Sequence, residues 1–487
     1  MGRHGRDPLN LADGAHLFAA WLRFMQSLDD GQLSLFSIPG HKQRQNLTGS
    51  LIRGDVPLYA GLDTVEPGNG ALAEAEAAAA QLWGVDWCRF SVGGSTHANQ
   101  AAALAVGMPG DQVIVSRTLH RSLLTGIILA GLIPVWVQSD LDAITGLPTC
   151  VPVSAVERAL AEHPGACAVM LGDPSYVGTT GDVAGHARVA HEAGVPLIVD
   201  GAWAAHFGFH PGLPAHALAQ GADALVISAH KTLPAMNQAA LLLARTRASG
   251  GLLEAGRLET GFEAGHTTSP SGAILASIDA ARELLARHGE RLLAGLIDLV
   301  AGAREELSAV PGLVLPAERL GEAIVEPAKL VIQIAGTGAP VPLLERDLRA
   351  AGVILEMAGR DTMIPMVTIA DDAQSVGRLV TELAAAVERH RGPARAVEVA
   401  ASWQVQPQQL IPPREAFFAR RESVPARHAV GRVSAELVAP YPPGIPVLAP
   451  GELISPGAVA GLERTRDDGG RIAYAHDPTL ATFQVVC

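Results

Sequence analysis

An α/β fold, with a mostly parallel sheet covered by helices on both faces, is what this sequence predicts for its larger part. Three observations point to it. Strand-like and helix-like segments alternate from about residue 70 to 245. The strand-like segments are uniformly apolar, as strands buried on both faces are. A second, smaller α/β set follows at 329–390, and a proline-rich tail comes after it.

The segments run in order. "ALAEAEAAAAQLWG" (71–84) is an alanine-rich helix stopped by Gly84. "CRFSV" (88–92) reads as a strand, "HANQAAALAVG" (97–107) as a helix, "QVIVS" (112–116) as a strand. Helix "RSLLTGIILAG" (121–131) and strands "IPVWV" (133–137) and "CAVML" (167–171) come next. Helix "HARVAHEAG" (186–194) precedes strands "VPLIV" (195–199), "DALVI" (223–227) and "AALLLA" (239–244). Residues 271–308 read as helix and lead the chain out of this set. The second set holds strands "KLVIQIA" (329–335), "VILEMA" (353–358) and "PMVTIA" (365–370), with helices at 341–352 and 372–390. The stretch 391–414 reads as a connection, and "PYPPGIPVLAPGE" (440–452) is too proline-rich for a helix.

With 487 residues, 48% hydrophobic and 17% charged, the chain can bury a large core and is not disordered. A net charge of −13 argues against a nucleic-acid or anionic-membrane partner. Cys88, Cys150, Cys167 and Cys487 form no CxxC pair and no metal spacing, so a reducing compartment is expected. No apolar run reaches the roughly 18 residues of a membrane span, and no apolar stretch follows the basic N-terminus at signal-peptide distance. A cytoplasmic protein acting on a small molecule is the expectation.

In open α/β sheets, ligands sit beyond the carboxyl ends of the strands. Polar residues gather at those ends here. Gly93-Gly94-Ser95-Thr96 follows the first strand, and Arg117 and His120 follow "VIVS". Asp173, Ser175 and Tyr176 follow "CAVML"; Asp200, Trp203 and His206 follow "VPLIV"; Ser228, His230 and Lys231 follow "DALVI". Each alone has a plainer use. The glycine pair is also a turn with a helix cap, Asp200 also a capping carboxylate, and His120 also a rim histidine. Together they are a phosphate cradle at a helix N-terminus, a strand-end acid, a ring-stacking histidine and a buried lysine. That set points to pyridoxal 5'-phosphate (PLP): lysine bonds its aldehyde, and the acid keeps its ring nitrogen protonated. The protonated ring is then an electron sink for a carbanion at Cα.

The chain resembles the Orn/Lys/Arg decarboxylases of the aspartate-aminotransferase fold (fold type I), in their short form. The resemblance is carried in order by "PGHK" (39–42), "GGSTHAN" (93–99), "RTLHRS" (117–122), "DPSYVG" (173–178), "VDGAWAAHFGFH" (199–210), "SAHKTLPAMNQ" (228–238), "TTSPS" (267–271) and "PYPPGIPVLAPGE" (440–452). It implies that Lys231 is the Schiff-base lysine, that Asp200 pairs with the pyridinium and that His120 stacks on the ring. Ser95, Thr96, Ser228 and His230 would hold the phosphate, with Trp203 and His206 lining the site. It also implies a homodimer with sites at the subunit interface, near "PGHK" and "TTSPS". Only 38 residues precede "PGHK", so the N-terminal wing of longer relatives is not expected. The implied division is an N-terminal segment (1–50), a large PLP-binding domain (51–285), a small α/β domain (286–392) and a C-terminal domain (393–487).

The sequence departs from the family at His120-Arg121-Ser122, at Gly201 and Trp203 within "DGAW", at "TLPAMNQ" and at "LYAGLDTVEPGNG" (58–70). These bear on which amino acid binds rather than on the cofactor. The expected reaction is decarboxylation of arginine, lysine or ornithine to an amine and CO2. The alternative is another PLP-dependent carbanion reaction: aminotransferase-like, eliminating or oxidative. A non-catalytic binder is opposed by the retention of Lys231 and Asp200. A distal substrate cation needs an acidic or aromatic partner, and the tail offers Glu436 and Glu452 to a pocket it would cover, or to solvent. "HFGFH" (206–210) has helical histidine spacing without the glutamate of HExxH, so no metal is expected.

Overall fold

The computed structural model describes residues 9–56, 70–142, 145–397, 408–441, 444–467 and 470–487. The 58–69 part of the divergent stretch noted above lies outside them. Eight strands form in the first part of the chain: β1 (Trp87–Ser91), β2 (Gln112–Ser116), β3 (Ile133–Val137), β4 (Ala166–Gly172), β5 (Thr179–Thr180), β6 (Leu197–Asp200), β7 (Ala224–Ser228) and β8 (Ala240–Ala244). All but β5 join one sheet in the order β1-β8-β7-β6-β4-β2-β3. The pairs among β7, β6, β4, β2 and β3 are parallel, while β8 runs antiparallel to both its neighbours.

Side chains alternate across this sheet, and the alternation makes two cores. Val113, Val115, Ile198, Val226 and Leu242 point to one face, against helices Gly94–Val106, Arg121–Ala130 and Ala255–Gly265. Ile114, Leu197, Val199, Leu225, Ile227, Leu241 and Leu243 point to the other, beneath helices Gly70–Leu82, Val153–Glu162 and Val183–Glu192. Each such side chain, fully buried, contributes about 1.5–3 kcal/mol relative to exposure. That is why these strands read as continuous apolar runs.

Helix Gly272–Ser308 has 37 residues and so spans about 55 Å. Near its start, Asp279 Oδ2 accepts from the backbone N–H of Leu17 and Phe18, at 2.9 and 3.3 Å. It thereby caps helix His16–Asp29, whose own N-cap side chain makes no capping bond.

The second set is smaller than its sequence predicts. β9 (Arg319–Leu320) and β10 (Ala323–Val325) form a three-stranded sheet with β5, through antiparallel β5–β10 pairing. β11 (Ile332–Gln333), β12 (Met357–Ala358) and β13 (Thr362–Ile364) make an antiparallel sheet, flanked by helices Val341–Ala350 and Ala373–His390. The expected strand at 365–370 is absent: pairing stops at Ile364, because Pro365 has no N–H to donate. In the tail, Arg421–Pro425 pairs with Thr482–Val486 and Ala439–Tyr441 with Arg471–Ala473, around a core that includes Val438, Leu448, Leu462 and Phe483.

Candidate active site

Parallel pairing sets the carboxyl edge of the sheet. Asp200, the last residue of β6, pairs with Val226 of β7, and Ser228, the last of β7, pairs with Ala240 of β8. Ala240 also pairs with Ser91 of β1, so the Gly93–Thr96 turn that follows β1 opens beside Ser228. Gly94 takes φ +71°, in the left-handed region that glycine adopts freely, and starts helix Gly94–Val106. Ser95 and Thr96 lie in its first turn, and no side chain caps it. Ser228 Oγ is buried with no hydrogen-bond partner among the described residues, a costly state unless something else binds there.

Asp200 is buried. Its Oδ1 accepts from Ala202 N–H at 3.2 Å and its Oδ2 from Asn99 Nδ2 at 2.8 Å. The same amide nitrogen of Asn99 donates to Ser122 Oγ at 3.0 Å, and that hydroxyl meets His120 Nδ1 at 2.7 Å. One polar chain thus links His120 to Asp200. Because Ser122 N–H also points to Nδ1, that nitrogen is the acceptor and Nε2 carries the proton of a neutral ring. Desolvation pushes the His120 pKa down, Lys231 and Arg121 add to this, and Asp200 opposes it.

Lys231 lies in the short helix Ala229–Thr232 directly after β7. Its Nζ sits 4.2 Å from the centre of the Trp203 ring. Desolvation lowers its pKa, against the opposite pull of Asp200 and Glu356. Next to it, His230 Nδ1 lies 2.9 Å from Ala239 O. Trp203 is buried and meets Tyr176 edge-on at 5.2 Å between centroids.

The structure therefore brings Ser95, Thr96, His120, Asp200, Trp203, Ser228, His230 and Lys231 to one edge. It does not place the other three candidates as expected. His206 is buried, with Nε2 2.6 Å from Glu326 Oε1. His210 turns elsewhere and accepts from Gly212 N–H at 3.0 Å. Glu436 and Glu452 are neither solvated nor open to a substrate of this chain. Glu436 accepts from the N–H groups of His476 and Gln484, at 2.6 and 2.7 Å, wholly within the tail. Glu452 is fully buried and takes both arms of the Arg117 guanidinium as well as Ala449 N–H. A buried carboxylate needs such partners, and these two have found them within the folded chain.

Sequence reasoning gave no role to Asn99, Glu326, Lys329 or Glu356. Lys329 carried the signal that singled out Lys231: a lysine at the edge of an apolar run. The others show only once the chain is folded.

A sheet of this order with one reversed strand, an acid and a lysine following adjacent strands, and a glycine turn opening a helix after β1 is the architecture of fold type I of the PLP-dependent enzymes. The chain belongs to the Orn/Lys/Arg decarboxylase family: the family's major-domain profile matches residues 29–320 and its C-terminal-domain profile residues 396–463. It is accordingly an amino-acid decarboxylase by class. It is 31% identical to proteins named arginine decarboxylase from Halalkalibacterium halodurans and from Bacillus subtilis, each match covering 93% of this chain and 94% of the relative. Its fold matches the crystal structure of the Francisella novicida lysine decarboxylase LdcF with a TM-score of 0.81, at 18% identity, over 97% of this chain and 81% of that one.

Proposed function

We propose that the chain is a PLP-dependent decarboxylase of a basic L-amino acid, arginine first, releasing the amine and CO2. The observation that carries this reading is the juxtaposition of Lys231 and Asp200 on adjacent strand ends, beside an unpartnered Ser228 hydroxyl and an uncapped helix N-terminus. Those groups fit PLP: a lysine whose amine has no hydrogen-bond partner among the described residues for the aldehyde, an acid for the ring nitrogen and donors for the phosphate. The names of the relatives at 31% identity favour arginine over lysine.

The cofactor, when bound, supplies the electron sink for the pair left on Cα as CO2 departs. This chain's residues do the rest. Lys231 would hold the cofactor through its aldehyde. Asp200, oriented by Asn99, would keep a proton on the ring nitrogen. His120, held by Ser122, would face the ring, with Trp203 lining the site. Ser95, Thr96, Ser228 and His230 would hold the phosphate, with the helix dipole adding to their pull.

A homodimer sharing its sites is part of the same proposal. It is supported by apolar side chains left exposed near "PGHK": Phe36, Ile38 and Leu51. The cytoplasm is the proposed compartment, supported by four free cysteines. Among the described residues no helix is long and apolar enough to cross a membrane.

The test is a panel. Purified protein with PLP is given L-arginine, L-lysine, L-ornithine and a neutral amino acid, and CO2 and amine are measured. Release from a basic substrate alone supports the reading. Turnover of none, or a preference for the neutral one, would sink it. Borohydride should fix the cofactor to Lys231 and not to the Lys231→Ala variant.

A further inference from the structure

The sequence holds three lysines, Lys42, Lys231 and Lys329, among 36 basic residues. In a chain that otherwise relies on arginine, two of the three converge on one tryptophan. Lys231 Nζ lies 4.2 Å and Lys329 Nζ 3.9 Å from the Trp203 ring centre, so the two amines are no more than about 8 Å apart.

Lys329 is buried, and its amine makes no hydrogen bond or ion pair among the described residues. The acids around it are engaged elsewhere. Glu326 faces His206 at 2.6 Å, and Glu356 accepts from Tyr176 OH at 3.1 Å. Desolvation and the neighbouring Lys231 push the Lys329 pKa down to about 8, with Glu326 and Glu356 opposing. A buried cation that faces the rings of Trp203 and Tyr176 and makes no ion pair among the described residues is costly unless an anion comes to it.

The backbone holds Lys329 in place. Its N–H donates to Glu326 O at 3.1 Å and its O accepts from Arg304 Nη2 at 2.8 Å. Pairing of β5 with β10 brings this segment to the site, where the lysine stem lies against Gly178. A side chain at Gly178 would meet that stem at 2.7 Å.

We propose that Lys329 receives the α-carboxylate of the substrate. This rests on the reading of Lys231 above. An amino acid bound there puts its amine where the Lys231 amine stood. Its carboxylate oxygens lie about 3 Å from that nitrogen, and a charge-assisted hydrogen bond adds about 2.8 Å, a reach inside the limit of about 8 Å on the separation of the two amines. A basic substrate carries its other charge at the far end, and the Lys329 ammonium repels that cation while it attracts the carboxylate. The carboxylate end therefore faces Lys329. A single ammonium also suits a group that must leave: once the Cα–carboxyl bond breaks, its electron pair stays on the substrate and CO2 departs neutral, with nothing left for Lys329 to hold. A two-armed guanidinium would grip the departing group more firmly.

Three ligands test this on wild type and Lys329→Met: L-arginine, L-argininamide, which lacks the negative charge, and agmatine, which lacks the group. Dissociation constants for the amide and agmatine come from cofactor absorbance, and KM and kcat from turnover of arginine. KM for arginine should rise on the order of tenfold to a hundredfold in the variant, with affinity for the other two within twofold of wild type. Equal loss for all three, or no loss for arginine, overturns the proposal. Should the methionine variant fail to fold, Lys329→Arg decides: it keeps the charge and should keep the preference for arginine over the amide, and loss of that preference overturns it. A wild-type protein whose spectrum responds to none of the ligands would instead remove the reading of Lys231, and the proposal with it.

Discussion

Replacing Glu452 by glutamine should loosen the C-terminal segment without weakening substrate binding. Arg117 and Glu452 are 2% and 0% exposed, and the guanidinium bonds both carboxylate oxygens, at 2.5 and 3.0 Å. Arg117 also donates to Val447 O at 3.2 Å and lies 4.7 Å over the Trp136 ring. Glutamine keeps the shape but turns an N–H₂ toward a donor and leaves a buried guanidinium uncompensated. Breaking one side of such a pair costs about 3–5 kcal/mol. At 1.4 kcal/mol per factor of ten, local opening should become on the order of 10²-fold more frequent or greater. Amide hydrogen exchange across 434–453 reads this, because the N–H groups of Ser434, Ala449 and Gly451 are bonded inside that turn. Glu192→Gln is the control: its partner Arg188 and Glu192 are 58% and 61% exposed, and such a pair contributes about 0–1 kcal/mol. Removing both buried charges, with Arg117→Met and Glu452→Leu, should restore most of the protection. Acceleration no greater than the control's would refute this account. A tenfold rise in KM for arginine would instead return Glu452 to the substrate.

Asp200→Asn should keep the cofactor, seen by its absorbance, and lower turnover on the order of 10²-fold or more, since the electron sink loses its counter-charge; near-native turnover would end that role. Gly178→Ala should destabilise the fold by about 1–3 kcal/mol in urea, because φ is +77° and the new carbon would meet the Lys329 stem; an unchanged midpoint would show that the loop relaxes freely. Burial pushes the Asp173 carboxyl up to about 7 against the N–H of Gly181. The folded state then holds a proton that the unfolded state releases near pH 4, so this contribution to stability is full below pH 4 and is lost as pH rises toward 7. Asp173→Asn should flatten that part of the pH profile in chemical denaturation, and a wild-type-minus-variant difference equal at pH 5 and pH 8 would contradict it.

Strand by strand, much of the site could be read before folding. Strands covered on both faces must be apolar throughout, so the first polar residues after them mark the sheet's edge, and parallel strands share that edge. Asp200, Ser228, Lys231 and the glycine turn before Ser95 follow from that rule alone. The small sheet was harder. Its strands are two or three residues long, and Pro365 ends one where the apolar pattern runs on.

What the sequence by itself determined is the set of groups that end the parallel strands, because period-2 burial and strand direction are local properties. What only the tertiary structure decided is which distant groups meet them. Asn99 reaches Asp200 across 101 positions, Glu452 meets Arg117 across 335, and Lys329 reaches Trp203 by the pairing of β5 with β10. A charge in sequence has no partner until the chain crosses itself. Glu436 and Glu452 read as free acids for that reason, and folding satisfied them within the protein while leaving the amine of Lys329 without a hydrogen-bond partner among the described residues.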